Sequence, residues 1–156
     1  MASYRRYKTR EIIKMDKWDN RFLSVATLIS SWSKDPSTQV GCVIVDDNRR
    51  ILSTGYNGFS SAVDDLEERL HNRDIKYPLT IHAEVNAVLN TKQSLVGATA
   101  YITHQPCCNC ASVLIQSGIK RVVCYSADEA LTERFKTSFE LAEQILNEAS
   151  VSYNVL

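Results

Sequence analysis

The chain has 156 residues, 44% apolar and 23% charged, an ordinary globular composition at a length that lets one domain bury roughly 70% of the surface its unfolded chain exposes. Its 18 basic and 18 acidic residues cancel, so the basic excess of a nucleic-acid binder is missing, and Arg5, Arg6, Lys8 and Arg10 read as a solvated N-terminal tail. No apolar run approaches the roughly 18 residues of a bilayer span and no charged start leads into an apolar signal core, which points to the cytoplasm, where the five cysteines stay reduced and clustered Cys means metal or catalysis before disulfides.

One domain over 1–156 is expected, with 1–15 a flexible tail. Asp16 to Ser33 predicts a helix, capped by Asp16 or Asp19, with Phe22, Val25, Ala26, Ile29 and Trp32 at helical spacing. Gln39 to Val45 is a short β-branched run and predicts a buried strand. Asp46-Asp47-Asn48 is a turn signal, and Ile51 to Tyr56 completes an antiparallel hairpin. Residues 57–80 are polar and irregular, with Pro78 near the end, and loops of that length are usually functional or mobile. His82 to Asn90 predicts a short helix, Ala98 to Thr103 a strand, and Cys107 to Ser117 a helix ended by Gly118. Arg121 to Tyr125 predicts a strand. Asp128 to Ala149 predicts one long amphipathic helix, with Leu131, Phe135, Phe139, Ala142, Leu146 and Ala149 on one side. Val151 to Val155 offers a last edge strand. After the hairpin, strands alternate with helices, so an α/β fold with a central sheet covered on both faces is expected.

The chemistry gathers at His82, Glu84, Cys107 and Cys110. Cys107 and Cys110 are three apart and share one helix face. One imidazole and two thiolates suit zinc, and a helix N-terminus favours thiolate over thiol. Three protein ligands leave the fourth tetrahedral position to water, the arrangement of a catalytic zinc. Zinc brings the pKa of such a water to about 7. Glu84, two residues from His82, need not bind metal and is placed to take a proton from water and return it. Hydrolytic deamination of an amidine-like ring requires this equipment. A folding zinc site beside a surface glutamate is the plainer alternative, although it more often takes four protein ligands. His104 gives H-x-x-C-x-x-C with the cysteines, but at a strand end it reads as a polar residue lining the site. Cys108 points about 100° from the ligand face and reads as packing or rim. Cys42 and Cys124 lie in apolar strands as small core residues, and His71 falls in the charged loop.

H-x-E paired with P-C-x-x-C, as in His82-Ala83-Glu84 and Pro106-Cys107-Cys108-Asn109-Cys110, resembles the zinc deaminase signature. Further segments resemble the deoxycytidylate (dCMP) deaminase family: Trp32 to Gly41 (WSKDPSTQVG), Gly55-Tyr56-Asn57-Gly58-Phe59, Lys76-Tyr77-Pro78 before His82-Ala83-Glu84, and Gln116 to Lys120. The likeness spans about residues 20–130 and weakens over the last 25. It implies a three-layer α/β/α fold with a mixed five-stranded sheet. It implies one zinc on His82, Cys107 and Cys110, with Glu84 carrying protons as dCMP becomes dUMP and ammonia, supplying dUMP for dTMP synthesis. Ser33, Lys34 and Asn57 are expected near the nucleotide. Lys34 offers a cation to a phosphate and Asn57 both donors and acceptors; equally, "SKDP" reads as a helix end and turn and "YNG" as a strand-ending turn. The family also implies a hexamer, activated by dCTP and inhibited by dTTP with Mg2+ at a site formed by Asn57, Gly58, Phe59 and the following loop. Only three histidines occur and none clusters in 57–80, so the second zinc of some phage relatives is not expected. The rival readings are a tRNA or nucleic-acid base deaminase, opposed by zero net charge; a free-nucleoside deaminase, which commonly carries Cys where His82 stands; and a non-catalytic zinc-stabilised binding module.

Overall fold

The structure, a computed structural model, describes residues 15–156. The expected tail, with Arg5, Arg6, Lys8 and Arg10, lies outside the described residues apart from Met15, which packs against the first helix. That helix, α1 (Lys17–Ser30), opens with a capping box. The Asp16 carboxylate accepts from the Trp18 and Asp19 backbone N–H groups at 2.8 Å each, and Asp19 accepts from the Asp16 N–H at 3.3 Å. The helix stops three residues short of the expected Ser33. Ser30 and Ser31 donate their hydroxyls back to the Thr27 and Leu28 carbonyls, and Trp32 leaves the core stripe to stand edge-on to Tyr56.

Strands β1 (Gly41–Val45) and β2 (Ile51–Tyr56) form the antiparallel hairpin. Asp46 closes its turn by accepting from the Asn48 and Arg50 N–H groups. With β3 (Thr99–Ile102), β4 (Arg121–Cys124) and β5 (Ser152–Val155) they make one mixed sheet in the order β2-β1-β3-β4-β5. β1 pairs antiparallel with β3, while β3, β4 and β5 run parallel. The expected last strand is therefore present, as an edge.

Alternation along the strands sorts the core into two faces. Val43, Val45, Tyr101 and Val123 meet Phe22, Leu23, Ala26 and Ile29 of α1. Cys42, Ile44, Ala100, Ile102, Val122 and Cys124 meet the helices α4 (Ala83–Leu89), α5 (Cys108–Gln116) and α7 (Lys136–Glu148). The result is the three-layer α/β/α arrangement. Gly55 is what lets α4 lie so close to β2: a Cβ there would stand 2.4 Å from both the Ala83 carbonyl oxygen and the Ala87 nitrogen.

Two elements differ from expectation. Residues 57–80 are not irregular throughout, because α2 (Glu67–Leu70) and α3 (Arg73–Leu79) fold within them. Asn72 caps α3 by accepting from the Asp74 N–H, and Pro78 falls in the last turn, where the helix is already ending. The long C-terminal helix is two: α6 (Glu129–Arg134) and α7, parted at Phe135, whose φ of −106° and ψ of 16° leave the helical range. The Phe135 and Phe139 rings stand 5.9 Å apart, and both line a cavity that α3 also borders. Among the described residues no helix is long and apolar enough to cross a membrane.

Candidate active site

Both halves of the zinc pattern stand at helix N-termini on the same face of the sheet. His82 is the N-cap residue of α4 and Cys107 that of α5, each with extended backbone, so both side chains project ahead of their helices. The Cys107 sulfur accepts from the Cys110 backbone N–H at 3.4 Å, the bond an oxygen makes at an ordinary N-cap. Packing of α4 on α5 closes the triad: His82 Nδ1 lies 3.6 Å from Cys107 Sγ and 3.3 Å from Cys110 Sγ. Two donors at ordinary Zn–N and Zn–S lengths, set tetrahedrally, stand about 3.6 Å apart. The three donor atoms lie within 4.8 Å of one another and form the single such His/Cys/Asp/Glu group among the described residues. The donor set therefore fits one zinc ion with three protein ligands.

Electrostatics at the triad follow from proton sharing. The Cys110 thiol donates to Cys107, and this bond, with His82 and the Cys110 backbone N–H, pulls Cys107 well below the usual thiol range against its own burial. Cys110 is pushed up by that same bond and by burial. The Cys107 hydrogen bond raises His82, again against burial. A divalent cation held by His82, Cys107 and Cys110 would take the place of the shared protons and favour the ligating, deprotonated forms.

Glu84, in the first turn of α4, is 4% exposed. Burial is the largest influence on it and raises its pKa, partly offset by its backbone hydrogen bond and by His82. A carboxyl held above its ordinary range is the stronger proton acceptor, which suits a group that takes a proton and returns it.

These groups border a cavity of about 290 Å³. His82, Glu84 and Cys107 line it together with His104, Asn57, Phe135 and Phe139. Burial lowers the pKa of His104, which lines the cavity and is outside the metal group. Asn57 presents its edge to the cavity, but its amide is engaged: Oδ1 accepts from the Val40 N–H at 2.8 Å and Nδ2 donates to the Thr38 carbonyl at 2.9 Å. Ser33 is buried behind it, donating to the Asn57 carbonyl at 2.8 Å. Lys34 is exposed and paired with Asp65 at 2.8 Å. Neither Ser33 nor Lys34 lines the cavity, and neither do Gly58, which pairs with Ile81 in an isolated bridge, or Phe59. Cys108 is half-buried, its N–H donating to Ser138 Oγ.

The structure adds Arg73 of α3 and Arg134 of α6, which the sequence pattern did not single out, to the lining, together with Lys76 and Tyr77 of the resembling segment, to which it gave no role. Lys76 is almost wholly buried and donates to Asp35 at 3.0 Å and Ser37 at 3.2 Å, tying α3 to the turn after α1. The i,i+4 spacing of Arg73 and Tyr77 was the available signal, but it carries meaning only once 73–79 is known to be helical.

The sequence pattern described as the cytidine and deoxycytidylate deaminase zinc-binding region matches residues 16–126. A protein described as an uncharacterized deaminase in the luxG 3' region of Aliivibrio fischeri is 43% identical over 137 residues, covering 88% of this chain and 92% of that protein. Mouse deoxycytidylate deaminase is 39% identical over 135 residues, covering 81% of this chain and 76% of the mouse protein. Among solved structures, dCMP deaminase of the cyanophage S-TIM5, in complex with dCMP and dUMP, superposes with a TM-score of 0.72 over 92% of this chain and all of that one, at 24% identity.

Proposed function

This chain belongs to the cytidine and deoxycytidylate deaminase family and is a deaminase, and from that premise we propose that it converts dCMP to dUMP with release of ammonia. The observation that carries the reading is the convergence of His82, Cys107 and Cys110 on one point beside a cavity that Glu84 lines. The sequence relatives named as deoxycytidylate deaminases support the choice of nucleotide.

Zinc on the triad supplies Lewis acidity that makes a water acidic near neutral pH. Glu84 takes a proton from the attacking water and delivers it to the ring nitrogen as the oxygen adds to the carbon bearing the amino group. It then takes the remaining hydroxyl proton and gives it to that amino group, which leaves as ammonia while the carbonyl of the uracil ring forms. Burial of Glu84 keeps this proton from exchanging with bulk water. His104, Phe135 and Phe139 bound the space in which the ring is held.

The test is ammonia release from dCMP, deoxycytidine, dCTP and a short tRNA stem-loop by the purified zinc protein. Turnover of dCMP well above the other three is expected. Preference for the stem-loop or the free nucleoside contradicts the reading. The same proposal carries the finer expectations: activation by dCTP and inhibition by dTTP with Mg2+, through Asn57, Gly58, Phe59 and the residues after them, in a cytoplasmic homo-hexamer. The resemblance of the Gly55-Tyr56-Asn57-Gly58 segment supports the effector site. Exposed apolar side chains such as Leu28, Trp32, Leu89 and Val96 support self-association. Titrating activity with each effector tests the first, and flat responses end it; light scattering tests the second, and a monomer ends it.

A further inference from the structure

The two helices that carry the metal ligands start without an ordinary cap. A helix N-cap usually offers a side-chain oxygen to the unpaired N–H groups of the first turn. His82 makes no such bond at the start of α4. At the start of α5 the cap atom is the Cys107 sulfur, which accepts from the Cys110 N–H at 3.4 Å. A sulfur that is also a metal ligand shares its electron pairs with the cation, and its hold on that N–H weakens accordingly.

α5 has a second cap for which no metal competes. The N–H of Cys108, its first residue, donates at 2.9 Å to the hydroxyl oxygen of Ser138, which lies in the first turn of α7. Both residues are half-buried, where a lost partner costs more than on an open surface. The hydroxyl thereby ties the turn that bears Cys107 and Cys110 to α7. Further along, Ala111 and Leu114 of α5 share a core cluster with Ala142 and Leu146 of α7, so the two helices stay packed whether or not the bond is made. What the bond adds is the position of one turn. Ser138 also stands between Phe135 and Phe139, both of which line the cavity. The start of α7 thus carries an aromatic wall and holds the metal-ligand turn at once.

We propose that Ser138 is a positioning residue for the metal centre: its hydroxyl caps α5 from α7 and keeps the Cys107–Cys110 turn in the form that binds zinc. The inference rests on the metal and deaminase reading above. Ser138 does not line the cavity and lies outside the metal group; it acts on the two cysteines through the Cys108 N–H.

Zinc affinity, measured by competition with a chromogenic chelator, tests this without substrate. Ser138→Ala is expected to weaken it about ten- to hundredfold, the usual effect of losing a group that orients a metal ligand. Ser138→Thr, which keeps the hydroxyl, is expected to leave it unchanged. Ser117→Ala removes a hydroxyl from the far end of α5, where it donates to the Leu114 carbonyl at 2.8 Å, and is expected to leave zinc affinity unchanged too. Adding Cys108→Pro to Ser138→Ala removes the N–H left without a partner. Proline suits the first helical position, and Cys107 already has the extended backbone that a following proline needs, so the double variant is expected to recover the affinity. With zinc saturating, Ser138→Ala should lower kcat for dCMP and leave KM in place. Parent-like zinc affinity in Ser138→Ala, an equal loss in Ser117→Ala, no recovery with Cys108→Pro, or a change in KM alone overturns the proposal. If Ser138→Ala weakens zinc as expected while the parent protein releases no ammonia from dCMP, the positioning role stands and the deaminase reading fails.

Discussion

Each face of the sheet buries a cluster of ionisable groups, and the two clusters are built to opposite ends. On the α1 face, the Asp19 carboxylate accepts from Arg121 twice at 2.8 Å and from the Tyr101 hydroxyl at 2.8 Å. Burial pushes its pKa up, but Arg121 and Tyr101 outweigh that and hold it below the usual carboxylate range. Every charge there has its partner, and the cluster ties α1 to β3 and β4. On the other face, His82, Cys107 and Cys110 aim their donor atoms at a common point, and Glu84 is raised rather than lowered. The first cluster is closed and holds the layers together. The second opens into a cavity and keeps valence for a metal and a substrate. Burial is common to both, so burial alone does not mark a functional site; what distinguishes them is whether the buried groups satisfy one another.

Breaking the open cluster has the largest expected effect. His82→Ala or Cys107→Ala should abolish turnover, leave little or no bound zinc by metal analysis, and lower the melting temperature, since metal binding and folding are coupled. Glu84→Gln should lower kcat by about 10²–10⁴-fold, the usual contribution of a general acid-base group, with one zinc per chain retained. Retention of full activity in that variant would show that protons travel by another route.

Changes to the closed cluster should spare activity and cost stability. Asp19→Asn leaves the Arg121 guanidinium without its counter-charge and is expected to cost about 3 kcal/mol, or roughly 6–12 °C in melting temperature. Because the folded pKa of Asp19 lies below its unfolded value of about 3.9, its contribution is complete above that value and fades as pH falls through the folded pKa. The stability gap between the parent and Asp19→Asn should therefore be constant from neutral pH to about pH 5 and narrow below pH 4, as urea unfolding across that range will show. Tyr101→Phe removes one of three side-chain donors and is the mildest change, about 1 kcal/mol, again with unaltered kcat/KM.

Sequence pattern reached the open cluster more readily than the closed one, for a physical reason. Metal ligands must stand at fixed short spacings near helix starts, so His82, Glu84, Cys107 and Cys110 announce themselves within two short segments. Asp19, Tyr101 and Arg121 are far apart in the chain and meet only through the register of β3 on β4, where Thr99 pairs with Arg121. The strands were legible because short β-branched runs have few alternatives to a buried sheet. The break at Phe135 was not, since its apolar spacing continues unbroken from α6 into α7 and only the packing of Phe135 and Phe139 at the cavity makes the bend worthwhile. Arg73 and Arg134 escaped notice for a similar reason: two short helices must first fold before the residues share a wall.

The most direct test of the open-cluster account is a crystal structure of the zinc-loaded protein with anomalous data at the zinc edge. One peak per chain is expected, bonded to His82, Cys107 and Cys110, with a non-protein oxygen at the fourth position within hydrogen-bond reach of Glu84. A fourth protein side chain closing that position, or a peak elsewhere in the fold, would contradict it.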